Sequence, residues 1–527
     1  MIAMVVVLAT TLSQCKKEEP TINNNEKVSI TLDVNSGERN IIHPETGEAL
    51  FESGDVVYVA NDGHYVGTLT YNQGLFSGDI ATPSENDYLH FYFMGNKTPE
   101  ETLYSSTTTL TVNISDQTNG YPEIAYAPST VKYSSTVSAY HARLLNKCAL
   151  VKFNVATSSS SATYITGMNN KVSVDLGSQE FSYEKSGTGI IKLGAGNGEK
   201  WAILLPQTAI EGGELGSAYS GNYRGTRGMV PTISENGYLA TGIDVTINTL
   251  IPTPTGAING LFTINENCEQ VYFSQGNLQY IGSVATPYWK FADHQWDYFG
   301  STTGQNSSDV NVDRDLFGWG TSGWDNGNTY YQPWDTDNSS GSLYGPPVPN
   351  YFDPNSHDYR YGLTGSYANS DWGVYNPISN GGNQPNQWRT LTIYEWRYIF
   401  DSRSTSFGIR YAKAQVNNVK GLILLPDDWN ASYYTLNNIN EGNADFSSNI
   451  ITATEWIILE QHGAVLLPVA GSRSGTTMAN EGGTIGGYWP ATGFKRMPVV
   501  FFSSDGVSCT TFANACTGLS VRLVQDY

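Results

Sequence analysis

From residue 28 to residue 34 the chain alternates apolar and polar positions, with Ser29, Thr31 and Asp33 set between Val28, Ile30, Leu32 and Val34. A period of two belongs to a strand with one buried face, because successive side chains of extended backbone point to opposite sides. Similar short runs, rich in β-branched and aromatic residues, recur at 56–59, 66–71, 88–93, 149–155, 172–176 and 201–205. Each is bounded by Gly, Asn, Asp or Pro, the residues that turn a chain. No convincing helical period interrupts them. The pattern predicts two small β-sandwich domains, residues 28–156 and 157–251, with the Ser-rich stretch 157–162 as their joint.

Pro252 and Pro254, set among small residues, predict a stiff exposed linker over residues 252–260. The pattern changes beyond it. Of the 12 tryptophans only Trp201 precedes the linker; the others lie within residues 261–527, among Gly-rich stretches such as Gly381-Gly382 and residues 482–487. Large rings among permissive backbone predict a loop-rich α+β domain held by aromatic packing. Two helices are placed by capping chemistry. Thr392-Ile-Tyr-Glu395 and Thr452-Ala-Thr-Glu455 both have the form of a capping box, and each is followed at once by a tryptophan. Between them, residues 411–416 and 422–425 flank a turn signal at 417–421, and strands resume at 465–470, 499–502 and 521–524.

A length of 527 residues suits several domains. Gly 54, Tyr 34 and a charged fraction of 15% fit sheets joined by polar turns, so the chain reads as mainly β. A net charge of −21 would repel a phosphate backbone or an anionic leaflet, which argues against nucleic acid and against electrostatic membrane binding. Residues 2–9 form an apolar run too short to span a bilayer, followed by Leu12-Ser13-Gln14-Cys15. That stretch resembles the end of a bacterial lipoprotein signal peptide. The resemblance implies that residues 1–14 are removed, that Cys15 carries lipid and that residues 15–27 form a tether at the outer membrane surface; the other reading is a buried N-terminal strand. Of the remaining cysteines, Cys509 and Cys516 are close enough in sequence to be read as a loop-closing disulfide, and Cys148 is read as a small core residue.

Glu52-Ser-Gly-Asp-Val-Val-Tyr-Val59, Gly74-Leu-Phe-Ser-Gly78 and Lys147-Cys-Ala-Leu-Val-Lys-Phe-Asn-Val155 resemble, in their order, the fimbrillin family of type V pilus subunits and accessory proteins. The likeness covers about residues 28–251 and implies two fimbrillin-like sandwiches; an unrelated pair of sandwich domains acting as a stalk is the other reading. Leu467-Pro-Val-Ala-Gly-Ser-Arg473, Gly486-Gly-Tyr-Trp-Pro-Ala-Thr492, Val499-Val-Phe-Phe-Ser503 and Gly518-Leu-Ser-Val-Arg-Leu-Val524 resemble bacterial C-type-lectin-like domains. These include surface lipoproteins whose loops are rewritten by diversity-generating retroelements. That resemblance makes Gly487, Trp489, Phe501, Gly518 and Arg522 framework residues. It implies a ligand-facing set of Tyr488, Thr492, Phe494, Lys495, Arg496, Thr510, Thr511, Phe512 and Asn514. Aromatic area combined with hydrogen-bonding groups suits recognition of a glycan or of a host or bacterial surface protein; Phe494 and Phe512 as core residues is the alternative. Together the two resemblances imply a terminal or accessory pilus subunit that binds through its C-terminal loops, with other pilus subunits as further partners, or a stand-alone surface lipoprotein.

Asp309-x-Asn311-x-Asp313-x-Asp315 and Asp335-x-Asp337-Asn338 put oxygen ligands at alternate positions, as a calcium loop does, although the first lacks the turn Gly and distal Glu of an EF-hand; a solvated acidic loop is the other reading. No other cofactor is indicated. The seven histidines are scattered without the spacing of a zinc site, and no nucleophile elbow or dinucleotide loop is present. Asp427 and Asp428, as neighbours on an extended segment, are expected to diverge. Formylglycine-generating enzymes share the lectin-like topology and use paired cysteines, but the surroundings of Cys509 and Cys516 do not match that active site. The chain is therefore read as a binding protein and not as an enzyme.

Overall fold

The alternating run that opens the pattern forms the strand Lys27–Val34, with Ile30, Leu32 and Val34 buried and Lys27 and Ser29 exposed. The structure, a computed structural model, describes residues 27–34, 51–118, 120–128, 131–212, 218–303, 305, 307–337, 344–346, 362–479, 483, 485–493 and 497–527. It is mainly β and divides into two compact units. The first comprises residues up to 112 together with 122–149 and 172–182; the second comprises 113–121, 150–171 and 183–527.

Within the first unit nine described strands form one sheet. Its central run is Tyr88–Met94, Val56–Asn61, His64–Asn72, Leu75–Ala81 and Lys27–Val34, all antiparallel neighbours. Lys27–Val34 also pairs with Ala139–Ala142, in parallel. Inward positions supply Leu32, Val57, Val59, Phe76, Phe91 and Phe93 to a single core. Phe51 closes it with edge-on contacts to Phe76 and Phe93 at 4.8 and 5.4 Å. Burying each such side chain contributes about 1.5–3 kcal/mol, which is why the alternation is kept so strictly here.

The second unit contains a seven-stranded sheet in the order Ile191–Ala195, Ala162–Ile165, Ala218–Ser220, Tyr223–Arg227, Gly237–Leu250, Ala149–Thr157 and Gly198–Leu204. It continues into several smaller sheets. One runs Ala257–Thr263, Gln270–Ser274, Leu523–Asp526, Arg389–Thr390; another runs Ile450–Ile451, Tyr411–Val416, Val419–Leu424, Val465–Pro468; a third runs Gly486–Tyr488, Met497–Ser503, Gly506–Ala513. The expected domain boundaries differ from this arrangement. Residues 149–157 are a strand of the second unit's sheet, whereas 172–182 return to the first, so the Ser-rich stretch is no joint. The expected linker 252–260 already contains the start of Ala257–Thr263. Residues on its two sides belong to one unit, tied by the hydrogen bonds Tyr272 Oη to Asn222 Oδ1 (2.6 Å) and Gln270 Nε2 to Tyr164 Oη (2.9 Å).

Both capping boxes are formed. Thr392 Oγ1 accepts from the Glu395 amide at 3.2 Å while Glu395 accepts from the Thr392 amide at 2.6 Å, starting the helix Ile393–Arg397. Thr452 and Glu455 repeat this at 3.2 and 2.7 Å for Ala453–Gln461. Trp396 and Trp456 are buried behind them. A third helix, Trp372–Tyr375, capped by Asp371, was not anticipated. Seven tryptophans are fully buried, and the loops owe their order to them. The indole nitrogens of Trp319, Trp372, Trp388 and Trp489 donate to loop carbonyls of Pro490, Thr321, Gly381 and Phe317 at 2.7–3.1 Å, satisfying both the ring and irregular backbone.

Candidate functional site

Of the framework residues, Trp489, Gly518 and Arg522 are buried and Phe501 is partly buried. Arg522, 1% exposed, donates to Gln295 Oε1 at 2.7 Å and to the Leu466 carbonyl at 3.2 Å. Burial without a carboxylate in direct contact lowers the pKa of Arg522 to about 10. At Gly486 a Cβ would strike the ring of Phe502, so the packing of the Gly486–Tyr488 strand excludes a side chain there.

The ligand-facing set divides. Tyr488 has no exposed surface: its hydroxyl donates to the Pro468 carbonyl and accepts from Asn277 Nδ2, both at 3.1 Å, and burial raises its pKa. Thr492 is buried as well, its Oγ1 accepting from the Ile393 amide at 3.0 Å. These two are therefore structural residues, a correction to the expected recognition set. Phe494, Lys495 and Arg496 lie outside the described residues, as does Cys15. Thr510, Thr511, Phe512 and Asn514 do come together. They lie on, or just after, the strand Gly506–Ala513, an edge strand of its sheet among the described residues. Its alternation turns Thr510, Phe512 and Asn514 outward, while Cys509 turns into the core and Thr511 is half-buried. Phe512 is 51% exposed.

Cys509 and Cys516 are not bonded to one another, which corrects the expected disulfide. The strand separates them: Cys509 packs with Val500 and Phe502, Cys516 with Met497 and Leu519 in the neighbouring core cluster. Burial pushes the Cys509 thiol up to about 12, the opposite of what a nucleophilic cysteine needs. The acidic loop is organised around a cation of its own. Arg314, fully buried, donates to the carbonyls of Val312, Ser307 and Asp309; Asp309 accepts from the Asn311 amide at 2.9 Å and Asp313 from Ser283 at 2.9 Å. Asp315 points inward and accepts from the Phe299 amide at 2.7 Å. Of the second acidic run, Asn338 lies outside the described residues. Among the described residues no three His, Cys, Asp or Glu side chains gather where they could hold a metal ion.

No protein-family description matches the chain, and no curated protein matches it. Among solved structures, a "putative cell adhesion protein" from Bacteroides uniformis ATCC 8492 is 12% identical, the likeness covering 42% of this chain and 97% of that one at a TM-score of 0.28. A protein of the same description from Bacteroides ovatus ATCC 8483 is 14% identical over 43% of this chain and 99% of that one, also at 0.28. A "putative adhesin" from the same organism is 11% identical over 37% and 71%, at 0.22. At these TM-scores the likeness carries no weight for function.

A feature that the sequence did not disclose is a cavity of about 510 Å³ within the second unit, lined by residues as far apart in sequence as Thr118 and Asp428. Asp427 and Asp428 both line it, Asp427 buried and Asp428 exposed, with different partners. Asp427 accepts from Thr263 Oγ1 (2.7 Å), the Thr263 amide, Gln270 Nε2 (2.7 Å) and the buried Arg403 Nη1 (3.0 Å). Asp428, exposed, accepts from Ser161 Oγ at 3.0 Å. No spacing rule could have joined these residues, because each comes from a different strand or loop. Among the described residues no helix is long and apolar enough to cross a membrane.

Proposed function

We propose that this chain is a surface-displayed binding protein of the adhesin type, lipid-anchored at Cys15, which engages a glycan or a host or bacterial surface protein through the outer face of Gly506–Ala513 and catalyses nothing. The observation that carries the reading is Phe512, half-exposed on an edge strand between the exposed Thr510 and Asn514. A rigid ring beside hydroxyl and amide groups is the composition of a recognition surface, and an edge strand leaves backbone groups open to a partner. The apolar run ending at Cys15 supports anchoring, and the fimbrillin-like motifs support a terminal or accessory place in a pilus.

The test is a screen of the full chain against glycan arrays and surface proteins, alongside Phe512→Ala. Truncation should cost on the order of 1–3 kcal/mol of binding with the circular dichroism spectrum unchanged. Equal binding by parent and variant would remove the surface from consideration. Metabolic labelling with a palmitate analogue should mark the parent and not Cys15→Ala.

A further inference from the structure

The cavity of the second unit shares no residue with the face of Gly506–Ala513. Its volume, about 510 Å³, falls within the roughly 300–1,000 Å³ of small-ligand pockets. Its walls are rich in hydroxyls and amides: Ser159 and Ser161 beside the strand Ala162–Ile165, Asn222 in the turn before Tyr223–Arg227, and Ser404, Thr405 and Ser406 in the loop after Arg403. Apolar surface is supplied by Tyr223, Leu250 and Leu261.

The charges in this cavity are mostly matched. Lys192 Nζ meets Asp116 at 3.2 Å, and Asp427 meets Arg403 at 3.0 Å. What remains is hydrogen-bonding capacity of one kind. Gln270 is 5% exposed and spends its amide nitrogen on Asp427 and on Tyr164 Oη, which fixes the orientation of the amide, because the carboxylate requires a donor. Its carbonyl oxygen is buried and has no partner. That oxygen has almost no accessible surface of its own, so Gln270 serves the cavity as a fixed part of its wall, held by Asp427 and Tyr164. Asp428 adds a carboxylate, one oxygen of which accepts from Ser161 Oγ at 3.0 Å.

We propose that this cavity binds a neutral saccharide unit, with Asp428 accepting from ring hydroxyls and the Ser, Thr and Asn groups of the wall completing the contacts. An anionic ligand would meet Asp427 and Asp428, whereas a cationic one would meet Lys192. A sugar donates through the same hydroxyls with which it accepts, and its C–H face suits the tyrosine and leucine surface.

The experiment uses the full chain on an array of neutral, sialylated and amino-sugar oligosaccharides, with spermidine as a cationic competitor. Gly194 offers a plug. It lines the cavity, and a Cβ there would meet nothing within 4 Å, so Gly194→Trp can fill the space without disturbing the strand Ile191–Ala195. Asp428→Asn is the milder variant, on an exposed side chain. The expected result is binding of at least one neutral oligosaccharide, weakened tenfold or more by Gly194→Trp and severalfold by Asp428→Asn, and unchanged by Phe512→Ala or by spermidine. Binding to no neutral glycan, retention of affinity in both cavity variants, displacement by spermidine, or loss in Phe512→Ala alone would each overturn the assignment. Loss in Phe512→Ala alone would instead favour the strand face.

Discussion

Asp427 is the acceptor on which three parts of the second unit converge, through Thr263, Gln270 and Arg403. Removing it would strand the buried Arg403 guanidinium, so Asp427→Ala should cost on the order of 3–5 kcal/mol in urea denaturation of the second unit. Asp371 gives a pH signature. Its carboxyl is 1% exposed, accepts from the Thr390 amide at 2.7 Å and from Thr390 Oγ1 at 3.0 Å, and is raised to about 6 chiefly by burial. The folded state therefore holds this proton more tightly than the unfolded chain. Its stabilising effect is full below the ordinary Asp pKa and is lost as pH rises through 6. Relative to Asp371→Asn, the parent should lose about 2 kcal/mol between pH 4 and pH 6.5, measured by denaturation at each pH. At this scale the sequence was least legible. Tyr488 resembled a recognition tyrosine because a buried tyrosine with a satisfied hydroxyl carries the same amphipathic ring as an exposed one. Asp427 gave no sign because its partners Thr263 and Gln270 lie more than 150 residues away, at separations of 164 and 157.

The short elements were easier to read, because the forces that set them are local. Thr452 and Glu455 satisfy each other's amides within one turn, and that chemistry is written in four consecutive residues. Thr452→Ala should cost about 1 kcal/mol of stability, seen as a lower urea midpoint with unchanged slope. The hairpin Tyr411–Val416 to Val419–Leu424 turns through Asn417 and Asn418, both at positive φ, 47° and 65°. That is the type I′ geometry matching the twist of the strands. Asn418→Gly should stabilise by a few tenths to about 1 kcal/mol, and Asn418→Val should destabilise by about 1–2 kcal/mol, in the same assay. The helix Trp372–Tyr375 escaped notice because four residues carry no period; its only local sign is Asp371 at the cap. The Cys509–Cys516 pairing failed for a related reason: proximity in sequence says nothing about which side of a strand each thiol takes.

For the whole chain, composition marks where the tryptophan-rich region begins, near residue 252, but it could not show that sheets on both sides share one unit. A fragment beginning at residue 252 should lose the bonds of Gln270, Tyr272 and Asp428 to Tyr164, Asn222 and Ser161. Hydrogen exchange should then find the Gln270–Ser274 amides less protected than in the intact chain; equal protection would show that the fragment stands alone. One pairing also sets an order in time. Leu523–Asp526 lies between Gln270–Ser274 and Arg389–Thr390, and Arg389 meets Asp526 at 2.8 Å. During synthesis the ribosome delivers both flanking strands first and their shared neighbour much later. Until it arrives, two open edges wait, and the tryptophan-rich loops cannot close over a finished sheet. The two edges are thus open to wrong partners from the making of residue 390 until that of residue 523, about a quarter of the chain.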